Sequence, residues 1–336
     1  MGSFRYAAVM AGAIAMPIVA SAATVFSDDF SSVAGSSPNY TVVTSDATSS
    51  FPTYAYDYSA MGIPSAPNTT DGSRLGLKLD ANLSAPGAAE SLTLHTVNSY
   101  AGDYSVKFDA WINVNGPFPD GGSGSTNYLM GGVGGDGTTN NRGGSAAPAS
   151  GVGGWFAVNG DNGNGTDYRL HKGNVLQGVA TGQYAAGTGT TARNGTDPYY
   201  AQFGGILVDT MPVQGASNGG PAQQTGTSGG GTFGMAWHQV ELLVDADGGT
   251  GGAASVKWIV DGLTLGTLDA GASGAFPSSG RVTLGYSDPS ANNSDLPSHS
   301  FALIDNLRVD AVPEPTTCAL LVPAALTLLA RRRRTA

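Results

Sequence analysis

Apolar residues recur at every second position along much of this chain, and that period restricts its fold more than any other feature. In "RLGLKLD", Leu75, Leu77 and Leu79 alternate with Gly76, Lys78 and Asp80. The same alternation runs through "SLTLHTV" (Leu92, Leu94), "YSVKFDAWINV", "WHQVELLVDA", "ASVKWIVDG", "GRVTLGYSD" and "SFALIDNLRVD". A period of two puts alternate side chains on opposite faces of a strand, so each stretch predicts a strand with one face buried. Helical periodicity is almost absent. The acidic glycine turn "DADGGTGGA" between Trp237–Ala246 and Ala254–Gly262 predicts a hairpin with an extended loop. Regular strands with Gly-rich connections predict one all-β sandwich over residues 23–311. Its core is expected to contain Leu77, Phe108, Trp258, Leu284 and Leu307. Two glycine-heavy stretches, Asn115–Gly154 and Gly204–Gly234, read as long loops, either plain surface insertions or one rim of the sandwich.

Charge narrows the partners. Of 15 Lys+Arg and 25 Asp+Glu, Arg5 lies near the N-terminus, and Arg331–Arg334 and Glu314 lie near the C-terminus, leaving 10 basic and 24 acidic residues between. A body that acidic argues against nucleic acid and anionic lipid. The single cysteine, Cys318, lies outside that body, so no disulfide can staple the sandwich.

The two ends read as targeting segments. "MGSFRY", the apolar run "AAVMAGAIAMPIVA" and the small-residue site Ala20-Ser21-Ala22 predict a signal peptide over residues 1–22, removed by signal peptidase. At the other end, residues 312–336 carry Pro313-Glu314-Pro315, the uncharged stretch Thr316–Ala330 and Arg331, Arg332, Arg333 and Arg334. As a helix the uncharged stretch would be roughly 22 Å long, short of a bilayer core of about 30 Å. The arginines are placed to stop transfer and hold the C-terminus in the cytoplasm.

That order of triplet, apolar helix and arginines resembles the PEP-CTERM sorting tail of Gram-negative bacteria over about the last 25 residues. Pro323 inside the apolar stretch departs from a regular helix. The resemblance implies recognition by a membrane-embedded exosortase, transient residence of the tail in the inner membrane, and delivery to the cell surface or extracellular matrix alongside exopolysaccharide. Within the body, "WHQVELLVD", "VKWIVDG", "GRVTLGYSDP" and "FALIDNLRV" resemble, in this order, the second half of concanavalin A-like and laminin-G-like jelly-roll domains. The resemblance implies a jelly-roll sandwich in which the last strand closes beside the N-terminal "VFSDDFS". It is poorly specific for function, because such domains include lectins, adhesion modules and glycosidases.

The residues argue against catalysis. Glycosidases need two carboxyls flanking the scissile bond, and catalytic relatives of this fold carry them as E-x-D-x-x-E. Before Glu314 the chain has only Glu90, read as a loop residue, and Glu241, read as a solvent-facing strand residue. His95, His171, His238 and His299 are scattered, form no metal motif, and read as surface or strand residues. No G-x-S-x-G elbow sits on a strand–helix turn, and "GGSGS" at 121 is a glycine loop without that context. The expectation is a non-catalytic body, with a carbohydrate-binding or adhesive module as the alternative and a polysaccharide hydrolase as the least favoured.

Two kinds of binding residue stand out. Trp155, Tyr168, Tyr199 and Tyr200 adjoin polar loops and could offer aromatic platforms to a sugar of an exopolysaccharide or other surface glycan. Trp111, Trp237 and Trp258 lie in strand patterns and read as core. Clustered acids on turns suit calcium. Asp161 and Asp167 form one cluster, and the resemblance places Asp28, Asp29 and Asp305 together where first and last strands meet. For each cluster a second reading stands, that of Asx residues forming turns.

Overall fold

The computed structural model describes residues 22–84, 89–114, 126–143, 150–160, 167–187, 193, 197–203, 230–271, 276–289 and 297–312. The leader up to Ser21, Pro313-Glu314-Pro315, the apolar stretch, Arg331–Arg334 and Asp161 lie outside those residues.

The alternating stretches are strands. In chain order they are β1 (Ala23–Asp28), β2 (Tyr40–Thr44), β3 (Phe51–Asp57), β4 (Leu75–Asp80), β5 (Glu90–Tyr100), β6 (Tyr104–Asn113), β7 (Tyr128–Gly135) and β8 (Gly154–Asn159). They continue with β9 (Tyr168–Lys172), β10 (Val175–Leu176), β11 (Trp237–Asp245), β12 (Ser255–Val260), β13 (Leu263–Asp269), β14 (Gly280–Asp288) and β15 (Phe301–Ala311). An eight-stranded sheet runs β13-β12-β11-β6-β15-β4-β3, with β1 also paired to β15. A seven-stranded sheet runs β10-β9-β8-β7-β14-β5-β2. Their inner faces pack together as a jelly-roll sandwich, and Thr24–Ala311 forms one compact unit. The last strand closes beside the first, and β11 and β12 form the expected hairpin with Leu242 opposite Trp258.

The inner faces follow from the period of two. Val240, Leu242 and Val244 of β11 and Val106, Phe108 and Ala110 of β6 are buried. Across the gap Trp258 stacks on Phe156 of the other sheet, ring centroids 4.3 Å apart. Leu77, Phe108, Trp258, Leu284 and Leu307 are all buried, as the alternation requires.

The first glycine-heavy stretch departs from expectation, because it contains β7, "YLMGGVGG", an interior strand of the seven-stranded sheet. Bulky neighbours explain its glycines. A Cβ on Gly131 would come within 2.6 Å of the Phe156 ring. Small residues there let two large aromatic side chains pack across the strand, so glycine marks close approach here, not a loop. Glu90 also differs from the loop assignment. It opens β5, is buried, and accepts a hydrogen bond from Ser50 Oγ at 2.6 Å. Trp237 is only partly buried, its indole N–H donating to the Pro64 carbonyl at 2.7 Å.

Candidate functional site

The outward positions of β6, β11 and β15 floor a cleft on the eight-stranded sheet. Lys107 lies opposite Arg308 on β15 and opposite Glu241 on β11. Lys107 pairs with Glu241 at 3.0 Å, and Arg308 Nε with Asp310 at 2.8 Å. Two loops wall the cleft. One follows β1 and is pinned by Asp28, whose carboxylate accepts from Phe30 N (2.8 Å), Ser36 Oγ (2.7 Å), Asn39 Nδ2 (3.4 Å) and Tyr40 Oη (3.1 Å). The other is a strap between β3 and β4, pinned by Asp109. Asn68 donates to Asp109 through its backbone N–H (3.0 Å) and its Nδ2 (2.6 Å), and Asn306 Nδ2 adds a third bond at 2.8 Å. Asn306 sits in the irregular register between Asp305 and Arg308, with φ of 53°. That left-handed backbone is one asparagine tolerates. The cleft encloses about 520 Å³ and is lined by Asn39, Asn68, Lys107, Gln239, Asn306 and Arg308, with Asp28, Asp29 and Ser32 on one wall. It offers amide, guanidinium and ammonium donors, with no aromatic platform beyond the edge of Phe108.

A smaller cleft of about 100 Å³ brings Asp29, Asp71 and Asp305 together with Thr69, Thr70 and Ser73. Burial pushes the Asp305 carboxyl up to about 7. The charges of Asp109 and Asp29 add to that, against the bonds from Tyr58 Oη (3.0 Å) and the Asn306 N–H (2.7 Å). Asp29 is instead held below the usual carboxylate range, by bonds from the backbone and hydroxyl of Ser31. Of the three acids expected at the junction of first and last strands, Asp29 and Asp305 therefore share a cleft. Asp28 does not, because its oxygens are turned inward and taken by four donors. Asp167 lies just before β9 of the other sheet. Among the described residues, no group of three or more His, Cys, Asp or Glu side chains converges as a metal centre requires.

The aromatic platforms are corrected by burial. Trp155, Tyr168 and Tyr200 are buried and offer no open face to a sugar. Tyr168 and Tyr200 stack on each other at 5.0 Å within the core, and Trp155 stacks on His171. Tyr199 is partly buried, and its hydroxyl donates to the Thr264 carbonyl at 2.5 Å. Each lies beside a polar loop in sequence; Tyr168 faces inward by parity, whereas Trp155, at an outward position, is covered by His171 and donates its indole N–H to the Gly173 carbonyl at 2.7 Å. The histidines are all buried: His95, His171 and His238 are strand residues, one of the two expected placements, and His299 lies in a short turn before β15 and not at the surface. His238 Nδ1 lies 2.7 Å from Asp261, and His95 Nε2 lies 2.8 Å from the Thr139 carbonyl.

The outer face of the seven-stranded sheet bears on catalysis. Its outward positions are Ser91, Thr93 and His95 on β5, Thr283, Gly285 and Ser287 on β14, and Tyr128, Met130 and Gly132 on β7. Trp155, Ala157 and Asn159 follow on β8, and Arg169 and His171 on β9. Among the described residues these strand positions carry no carboxylate, although the buried Asp167 continues the outward parity of β9 one residue before its start, and the charge of Asp136 acts on His95. Segment 136–143 covers part of this face, with Asn141 N donating to Thr93 Oγ1 (2.9 Å) and Ser287 Oγ to the Gly143 carbonyl (3.1 Å).

Sequence reasoning missed Asn68, Lys107, Gln239 and Asn306. The outward parity of Lys107 and Gln239 was visible in the alternation. What brings Asn68 onto them is a contact across 41 residues to Asp109, which no local pattern announces.

No family model matches the chain, and neither does any curated protein sequence. Solved structures do resemble it at low identity. A carbohydrate-binding module from Bacillus subtilis is 10% identical, with 74% of this chain and 92% of that one covered and a TM-score of 0.32. A Bacillus subtilis protein of unknown function with a galectin-like fold is 11% identical, with 86% and 96% covered and a TM-score of 0.37. An endo-1,3-beta-glucanase from Streptomyces sioyaensis is 14% identical, with 90% and 100% covered and a TM-score of 0.41. The chain's own two antiparallel sheets define its fold.

Proposed function

We propose that this chain is an exported bacterial cell-surface or extracellular-matrix protein with a non-catalytic sandwich body, cut by signal peptidase and then sorted by an exosortase acting on its tail. The observation that carries the reading is the tail, with Pro313-Glu314-Pro315, an uncharged stretch and four terminal arginines behind an N-terminal leader. The support for a body without hydrolase chemistry is the sequence itself, which before Glu314 holds only Glu90 and Glu241 and no E-x-D-x-x-E arrangement. Replacing Arg331, Arg332, Arg333 and Arg334 with Ser removes the stop-transfer charge. The expected result is release of unprocessed protein instead of surface delivery. Unchanged localisation and unchanged C-terminal cleavage would sink the sorting role.

A second reading, glycan binding by the body, is favoured by the open cleft of about 520 Å³ with its amide and cationic lining. Sugars are held by bidentate amides and charged donors as well as by aromatic faces. A glycan array is expected to show binding that Gln239→Ala weakens by removing an exposed amide, and that Asn68→Ala weakens by also removing its side-chain bond to the buried Asp109. Binding unaltered by both changes would place any glycan elsewhere.

A structural calcium ion fits the smaller cleft in one respect. Asp305 is a buried acid whose charge is opposed by Asp109 and Asp29, and a cation beside it would relieve that opposition. Asp29 and Asp305 would hold the ion, and its role would be to join the loop after β1 to β15.

A further inference from the structure

At one rim of the sandwich the inner face of the seven-stranded sheet ends in two acids. Glu90 opens β5 and Asp288 closes β14, and the two stand directly opposite in the antiparallel register. They share the parity of Leu92, Leu94, Leu284 and Tyr286, so their side chains point between the sheets. Glu90 is 6% exposed and Asp288 2%. Like charges directly opposite on neighbouring strands repel, and burial strengthens the repulsion. All ten basic residues between Ala23 and Val312 are among the described residues, yet no ion pair there includes Glu90. Arg142 comes near this end of β5 but donates to the Ala89 carbonyl, at 3.4 Å.

A chain of short hydrogen bonds ties the two acids into one site. Glu90 Oε2 accepts from Ser50 Oγ at 2.6 Å, Ser50 Oγ accepts from the Asn82 N–H at 3.0 Å, and Asn82 Nδ2 donates to Asp288 Oδ2 at 3.0 Å. Asn82 follows β4, is 2% exposed and takes a left-handed backbone, with φ of 60°. Its Oδ1 is buried and has no hydrogen-bond partner. That oxygen belongs to the amide that holds Asp288, so it faces the same small region as the carboxylates. Buried polar atoms are nearly always satisfied, and a carbonyl oxygen can only accept. An acceptor without a donor, next to two buried carboxylates, marks a place where positive charge fits.

We propose that Glu90, Asp288 and the Asn82 carbonyl oxygen hold a hard divalent cation of the calcium class. The donors are all oxygens, which suits calcium and not zinc or copper. Calcium takes carboxylate and amide oxygens together, in flexible geometry. Each carboxylate has lone pairs beyond the one engaged by Ser50 or Asn82. The ion would offset the opposed charges and satisfy Asn82 in one step. It would also join the segment after β4, a strand of the eight-stranded sheet, to the rim of the seven-stranded sheet. In a sandwich without disulfides, that is a staple between the layers. The site shares no residue with the Asp29–Asp305 cleft, so either can fail alone.

The test measures calcium binding by titration calorimetry on the full-length protein carrying Asp29→Asn and Asp305→Asn, a background in which the other cleft is silenced. One calcium ion per chain is expected to remain bound. Adding Glu90→Gln keeps an acceptor for Ser50 and removes one of the opposed charges. It is expected to weaken calcium binding at least tenfold, while the melting temperature in EDTA stays level or rises. Asn82→Asp adds a third carboxylate, and is expected to bind calcium more tightly than the background and to melt lower in EDTA. If the background bound no calcium, or if both variants bound it like the background, the proposal would be overturned. Two close carboxyls can also share a proton. A gain in stability on going from about pH 7 to about pH 5, equal in calcium and EDTA and abolished by Glu90→Gln, would show a proton in place of the metal and overturn the proposal as well.

Discussion

Trp258→Ala is expected to lower the melting temperature by on the order of 10 °C. The side chain is buried, stacks on Phe156 at 4.3 Å and meets Tyr168 edge-on at 6.2 Å. It therefore fills the gap between the two sheets where β12 faces β8 and β9. Removing a buried tryptophan typically costs about 3–5 kcal/mol, because the cavity cannot collapse fully. For a domain of this size each kcal/mol shifts the midpoint by about 2–4 °C. With no cysteine in the sandwich, no disulfide offsets the loss. Thermal unfolding followed by circular dichroism reads the effect. A change under about 1 kcal/mol would mean that the two sheets do not depend on this contact.

Asp305 carries the second large effect, as a dependence of stability on pH. Its carboxyl is pushed up to about 7 in the fold, from an ordinary 3.8. The folded state therefore binds the proton more tightly than the unfolded chain. The stabilisation is fully present below about pH 4 and is lost as pH rises from there through about 7. The shift corresponds to roughly 4 kcal/mol at ~1.36 kcal/mol per unit. His171 works in the opposite sense. Held neutral down to about 3, it stabilises above its ordinary value of 6.5 and loses that contribution as pH falls. The difference between the parent protein and Asp305→Asn isolates the carboxyl. In EDTA the variant is expected to gain stability relative to the parent as pH is raised from 5 to 8. Millimolar calcium, but not sodium at equal ionic strength, is expected to close that gap by stabilising the ionised parent, and Asp29→Asn is expected to reduce the calcium response. Parallel stability curves for parent and variant across this pH range would mean that Asp305 titrates normally. A parent curve identical in calcium, sodium and EDTA would remove the calcium site.

The inner faces of the sandwich were legible because burial on one side writes itself into the chain every second residue. Leu77, Phe108 and Trp258 were placed that way. The sequence also placed the last strand beside the first, through its likeness to other jelly rolls. What it hid was β7, because the glycines that make room for Phe156 look the same as glycines in a turn. The outer faces were hidden for a different reason. Trp155 and His171 sit at outward positions, which parity reads as solvent, yet both are buried. Asp28 and Asp29 are adjacent in sequence and look like one cluster, but alternate residues face opposite ways, so one pins a loop and the other meets Asp305. Contacts such as Asn68 with Asp109, or Arg193 with Tyr184, belong to loops whose paths no periodicity encodes.

Sorting at the tail is the claim on which the functional reading rests, and the mass of the mature protein tests it most directly. Intact-mass measurement of protein recovered from the cell surface is expected to show a chain beginning at Ala23 and ending near Pro313-Glu314-Pro315, without Arg331–Arg334. A full-length chain of 336 residues recovered from the cytoplasm, with both ends intact, would contradict it.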